Sequence, residues 1–237
     1  GLYKHFGDLV VLENFNFTVS RRGFTILIGP SGCGKSTLFN ILTGVLPREG
    51  GDIYWLEKSL PHLGKNAAYM QQKDLLLPWF TLLDNALLPA TIAGSDMAAA
   101  NTKAQKLFKR LGLKGFENYL PAETSGGMRQ RCALVRTLMF EHELVLLDEP
   151  LSALDAITRS SLQSLLLLLQ SEFNKSILMI THNIDEALML ADEVLVLRPP
   201  TLAAGIGCNR GTRMLEIKEL VFSVLAKRGL SARSLRS

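Results

Sequence analysis

The sequence predicts an α/β protein built on a largely parallel sheet, and two observations carry that prediction. Short, almost continuous apolar runs recur along the chain, and each stops abruptly at a glycine or a polar residue. Such runs suit strands covered on both faces. Between them lie stretches whose apolar residues fall at helical spacing, the alternation expected of β-α units. Phe24–Ile28 runs into Gly29, Leu144–Leu147 into Asp148, Ile177–Ile180 into Thr181-His182, and Val194–Leu197 into Arg198. Ligands of open α/β sheets collect at the carboxyl ends of strands, so chemistry is expected at these junctions.

Ahead of the first run, residues 11–19 alternate, with Val11, Phe15, Phe17 and Val19 on one face and Glu13 as the exception. With the strand-like stretches 52–57 and 67–71 they predict a smaller antiparallel sheet. Residues 75–135 read as a helical insert. Ser95-Asp96 can cap a helix over about 97–111, where Leu107, Phe108 and Leu111 oppose Lys103, Lys106, Lys109 and Arg110. A second helix is predicted from Gly126 to Phe140. The expected organisation is one domain over 1–200, with an α/β lobe at about 1–74 and 136–200 and a helical lobe at about 75–135. In the tail, 201–237, Met214, Leu215, Ile217, Leu220, Val221, Val224 and Leu225 form a stripe that predicts one amphipathic helix.

Composition narrows the class. With 47% hydrophobic and 20% charged residues among 237, the chain reads as globular. The net charge of +4 is uneven: residues 198–237 hold eight basic and two acidic residues, leaving the rest slightly acidic. A solvated helix face is the plain reading of that tail; nucleic acid or anionic lipid is the alternative. Mean hydropathy is +0.18, yet no stretch approaches the roughly 18 apolar residues of a spanning helix. No basic-then-apolar signal segment follows Gly1. Three cysteines, Cys33, Cys132 and Cys208, are too few for a disulfide scaffold, so a reducing, cytosolic setting is expected.

Gly29-Pro30-Ser31-Gly32-Cys33-Gly34-Lys35-Ser36 fits G-x-x-x-x-G-K-[ST], between an apolar strand and a helix marked by Leu38, Phe39, Ile41 and Leu42. Glycines in that pattern turn successive N–H groups inward around phosphate oxygens. Lys35 would reach the terminal phosphates, the Ser36 hydroxyl would coordinate Mg²⁺, and the helix dipole would add positive potential. A nucleotide-binding chain follows. Downstream, Asp148 ends an apolar run and would hold the metal. Glu149, next along, is placed to deprotonate an attacking water.

Between these two motifs stands Ser125-Gly126-Gly127-Met128-Arg129-Gln130-Arg131, and the ordered set resembles the ABC transporter ATPases. Gln72, ahead of Leu76-Leu77-Pro78-Trp79, resembles the Q-loop glutamine; Ser152-Ala153-Leu154-Asp155 the D-loop; His182 the switch histidine; Phe6 the aromatic residue that stacks on adenine. The resemblance covers about residues 3–200. It implies a P-loop NTPase core with ATP and Mg²⁺ as cofactors. Nucleotide contacts fall to Phe6, Gly29, Pro30, Ser31, Gly32, Cys33, Gly34, Lys35, Ser36, Thr37, Ser125, Gly126, Gly127 and Asp155. Metal contacts fall to Ser36, Gln72 and Asp148, and catalysis to Glu149, His182 and Gln72.

The resemblance further implies a homodimer or paired ATPase subunits closing on two ATP. Transmembrane permease subunits, an external solute-binding protein and a place at the cytoplasmic face of the membrane complete the picture. The stretch from Gln72 to Asp84 is similar to ATPases serving nitrate, sulfonate, taurine and pyrimidine-precursor uptake. Two departures stand out: Thr124 occupies a position where the family usually has leucine, and Gly1 lies only five residues before Phe6, as in a trimmed sequence. A soluble ABC-type switch on DNA or the ribosome rests on the basic tail alone. A P-loop kinase is disfavoured by Ser125-Gly126-Gly127.

Overall fold

The computed structural model describes residues 1–197 apart from 153 and 155, and the backbone of 231–235; at 156, 157, 169 and 171–173 it describes backbone only. Cys208 and the helix expected over 214–225 lie outside the described residues. In chain order the elements are β1 (Leu2–Phe6), β2 (Leu9–Phe15), β3 (Phe24–Ile28), α1 (Lys35–Thr43), β4 (Ile53–Trp55), β5 (Lys58–Leu60) and β6 (Ala67–Met70). Then follow α2 (Leu82–Ala93), α3 (Met97–Arg110), α4 (Gly126–Met139), β7 (Leu144–Asp148), α5 (Ala156–Phe173), β8 (Ser176–Thr181), α6 (Ile184–Leu190), β9 (Glu193–Leu197) and β10 (Ser231–Leu235). Two compact units emerge, Gly1–Ala67 with Ser176–Ser237, and Ala68–Lys175.

In the first unit β3 lies between β8 and β9 and runs parallel to both; β10 extends the array beside β9, also in parallel. Every residue of β3 and β8 is buried, as their unbroken apolar runs require. Phe24 donates its N–H to Asp192 Oδ2 at 2.8 Å and Asp192 returns its N–H to the Phe24 carbonyl at 2.8 Å, fixing the turn before β9 against the start of β3. The antiparallel part consists of two separate pairs, β1 with β2 and β4 with β5.

Two expectations change here. Strand β2 stops at Phe15, short of the predicted residue 19. Asn14 takes a left-handed φ of 46°, and Asn16 Nδ2 donates to the Asn14 carbonyl at 2.6 Å, a local alternative to ladder bonds. The stretch 67–71, assigned from sequence to the small antiparallel sheet, supplies β6, which neighbours β7. Ala67, Ala68 and Met70 are all buried, and such cover on both faces suits a strand of the layered sheet, where β6 ends the strand order.

In the second unit α3 and α4 match the predicted helices within a residue or so. Asp96 Oδ1 accepts from the Ala98 N–H at 2.9 Å to cap α3, and its buried stripe is Ala100, Ala104, Leu107 and Phe108. Helix α2 was not foreseen. Pro89 interrupts its sequence and its leucines form no clean stripe. It nevertheless starts in a capping box, with Thr81 Oγ1 accepting from the Asp84 N–H at 3.1 Å. Cys132 of α4 is fully buried and its thiol donates to the Leu82 carbonyl at 3.2 Å.

Candidate active site

The phosphate-binding candidate is built where β3 ends. Gly29 admits no side chain: a Cβ there would lie 2.5 Å from the Leu197 carbonyl oxygen and 2.8 Å from Cys33 Sγ. Gly34 has φ 97°, and its Cβ would meet Val11 Cγ1 at 2.8 Å. Glycine is therefore needed at both ends of the loop. Helix α1 starts at Lys35 with no side-chain cap and no acidic residue in its first turn, so its N–H groups remain available to an anion. Lys35 is buried, and its Nζ donates to the Gly29 and Pro30 carbonyls at 2.8 and 2.9 Å. Burial pushes the Cys33 thiol up, with the Lys35 charge opposing. Ser31, Gly32 and Ser36 are exposed; Thr37 is half-buried.

His182 belongs to the same unit. Ile28 and Thr181 are register partners on β3 and β8, so Gly29 and His182 leave the carboxyl ends of adjacent parallel strands. The turn carrying His182 is set from both sides. Thr181 Oγ1 donates to Glu186 Oε2 at 2.6 Å, and Asn183 Oδ1 caps α6 by accepting from the Asp185 N–H at 2.8 Å. His182 itself is exposed. Phe6 ends β1, half exposed at 49%.

The acidic candidate lies in the second unit at the end of β7. Asp148 is 2% exposed. Burial pushes the Tyr69 hydroxyl up, and the Asp148 charge adds to it. Glu149 has φ 50°, a left-handed backbone rare outside glycine. Its carbonyl is clamped by three donors: Gln130 Nε2 at 3.1 Å, the Ser152 N–H at 3.3 Å and Ser152 Oγ at 2.9 Å. Its carboxylate accepts from Gln72 Nε2 at 3.3 Å. Strain persists where the surroundings over-determine it, and here the strained turn aims a carboxylate. Gln130, 5% exposed, was not singled out from sequence; it lies nineteen positions from Glu149 and no local pattern links them.

Residues 12–152 match the ABC transporter family model. The chain belongs to the ABC transporter family. This ABC ATPase is 38% identical over 236 residues to the taurine import ATP-binding protein of Escherichia coli O157:H7, covering 100% of this chain and 89% of the relative. The taurine import ATP-binding protein of Shigella dysenteriae serotype 1 (strain Sd197) is 37% identical over the same lengths. Among solved structures it resembles the dimeric post-hydrolysis state of the ATP-binding cassette MJ0796 bound to ADP and Pi. The TM-score is 0.75 and the identity 28%, with 83% of this chain and 90% of that one covered. A second dimeric structure, of the bacterial ABC transporter cassette MJ0796, gives a TM-score of 0.76 at 26% identity, covering 83% of this chain and 91% of that one. The α/β fold expected from the sequence is that of these cassettes.

In this ABC ATPase Ser125 caps α4, its Oγ accepting from the Met128 N–H at 3.3 Å, and Ser125 and Gly126 are exposed. Thr124, the departure from the family pattern, is buried, and its hydroxyl donates to the Pro121 carbonyl at 2.9 Å. The polar side chain is thus satisfied. Asp155 lies outside the described residues. The segment after Gln72 is held firmly. Arg136 donates to the Asp74 and Leu75 carbonyls at 2.7 and 2.9 Å, and Arg129 Nε meets Asp74 Oδ2 at 3.2 Å. Asn85, fully buried, bonds the Leu77 N–H and the Leu77, Phe80 and Thr81 carbonyls at 2.7–3.1 Å. On this braced loop Leu75 and Trp79 are 48% and 69% exposed, which excludes Trp79 from the core.

Proposed function

We propose that this ABC ATPase is the energy-supplying subunit of an importer. Two copies, or this chain and a paired ATPase subunit, close around two ATP at the cytoplasmic face of the membrane. Separate permease subunits carry the solute path, and an external solute-binding protein delivers to them. No described helix is long and apolar enough to cross a membrane, and the import direction is drawn from the taurine import relatives. The exposed Leu75 and Trp79, on a loop pinned by two arginines and an asparagine, support a docking role for that loop.

In the proposed mechanism the loop N–H groups from Gly29 to Thr37 and the Lys35 ammonium bind the β- and γ-phosphates, while Phe6 stacks on adenine. Glu149 takes a proton from a water as its oxygen bonds the γ-phosphorus and the bond to the β-γ bridging oxygen breaks, releasing ADP and phosphate. His182 contacts the γ-phosphate, Gln72 orients the Glu149 carboxylate, and Asp155 serves the paired subunit. Ser125, Gly126 and Gly127 would receive the γ-phosphate bound by that partner.

The donors assigned to Mg²⁺, the Asp148 carboxylate, the Ser36 hydroxyl and the Gln72 amide oxygen, are all hard oxygens, and Mg²⁺ in nucleotide sites takes few protein ligands beside phosphates and water. When bound it would neutralise charge on the β- and γ-phosphates.

The observation that carries the hydrolytic reading is Glu149 itself: Gln130 and Ser152 hold its carbonyl and Gln72 holds its carboxylate, so the acid that follows β7 is fixed in place. Purification from the native membrane should recover the chain with integral membrane subunits and stimulate its ATPase activity. Recovery with nucleic acid in a salt-sensitive complex, and with no membrane subunit, would overturn the importer reading.

A further inference from the structure

The ring of Phe6 carries a cation on it. Lys4 Nζ stands 5.1 Å from the ring centroid, within cation–π reach. The two residues are two apart on β1, so their side chains share a face. Lys4 is 7% exposed, unusual for a lysine on a two-stranded hairpin. Glu49 explains it: Oε1 accepts from Lys4 Nζ at 3.0 Å, while Oε2 accepts from the His5 N–H at 2.9 Å and lies 2.6 Å from His5 Nδ1. Tyr3 and Gly50 share a backbone bond of 3.1 Å, as do Glu49 and Tyr3, so the loop bearing Glu49 is laced along β1. One carboxylate therefore holds Lys4 and His5, the two residues that lead into the aromatic ring.

We propose that Lys4, held by Glu49, is a positioning residue for base recognition: its ammonium covers one face of the Phe6 ring and leaves the opposite face for the purine of the nucleotide. The inference rests on the reading of Phe6 as the adenine-stacking residue. A half-exposed phenyl ring samples several orientations, and ordering it on binding costs affinity; an ordered ring has met that cost before the base arrives. The Lys4–Glu49 pair thus favours a ligand with an aromatic base over a bare polyphosphate.

Equilibrium binding of the full chain to Mg-ATP and to Mg-tripolyphosphate, which has no base, tests this directly. Lys4→Met should weaken ATP about two- to fivefold and leave tripolyphosphate unchanged. Glu49→Gln should act in the same direction more weakly, and Lys4→Arg, which keeps cation and ion pair, should restore ATP binding. Phe6→Ala should lower ATP affinity, and adding Lys4→Met to it should then change nothing. Equal weakening of both ligands by Lys4→Met, or no weakening of either, overturns the positioning role. If Phe6→Ala leaves ATP affinity intact, the stacking reading falls and this inference with it.

Discussion

The phosphate loop and the acid turn both follow an apolar strand, and both need backbone in the left-handed region. The loop supplies it with glycine: Gly32 and Gly34 have φ of 79° and 97°. In the proposed role backbone N–H groups meet the phosphates there, so no side chain is missed. The acid turn has φ 50° at Glu149 and cannot use glycine if, as proposed, the carboxylate is the general base. It holds the costly conformation with bonds from Gln130 and Ser152 instead. Where the backbone acts, geometry is encoded in the local sequence; where a side chain acts, geometry is imposed by residues elsewhere.

The strongest way to break this contrast is to remove the acid while keeping its shape. Glu149→Gln retains the turn and its clamp but cannot accept the proton, so turnover should fall about 10²–10⁴-fold. With hydrolysis blocked, ATP should hold the paired form, seen as a dimer peak in size-exclusion chromatography. Near-parental turnover would move the base elsewhere, with His182 the next candidate. On the loop side Lys35→Ala removes charge-assisted bonds to phosphate, and ATP affinity should drop about ten- to hundredfold or more. Unchanged affinity in equilibrium titration would contradict the phosphate-loop assignment.

The same contrast explains what could be read from the sequence. The loop was legible as a pattern because Gly29, Gly34, Lys35 and Ser36 are local, and β3, β7, β8 and β9 were legible as unbroken apolar runs. Helices α3 and α4 were legible from their caps and stripes. Helix α2 was not, because its stability comes from a capping box and packing around Pro89 and not from periodicity. Strand β6 was found but placed in the wrong sheet, since pairing partners are set by burial that four residues do not reveal. Gln130, Glu49 and Asn85 stayed hidden for a common reason: each acts through hydrogen bonds to distant or backbone groups, which leave no spacing to detect.

Gln130 offers a finer test of the acid turn. Gln130→Leu removes one of the three donors to the Glu149 carbonyl and touches no substrate. A single hydrogen bond is worth about 0.5–1.5 kcal/mol, so kcat should fall about two- to tenfold with KM for ATP unchanged. In a Glu149→Gln background the same change should have little further effect on rate, because the group it positions has already lost its chemistry. Additive losses would mean that Gln130 acts by another route.

The smallest effect is the most direct measure of strain. A left-handed residue with a Cβ costs about 1–2 kcal/mol, and glycine avoids that cost while adding about 0.5–1 kcal/mol of unfolded-chain freedom. Glu149→Gly should therefore abolish turnover yet leave stability unchanged or raise it by up to about 1.5 kcal/mol, read as the urea midpoint at constant slope. Gly34→Ala must go the other way: with φ 97° and a Cβ 2.8 Å from Val11 Cγ1, it should destabilise by about 1–3 kcal/mol. The two substitutions swap the solutions that the two turns use. If Glu149→Gly destabilises as Gly34→Ala does, the Glu149 side chain contributes more to folding than its backbone costs. The turn would then be a structural feature rather than strain kept for catalysis.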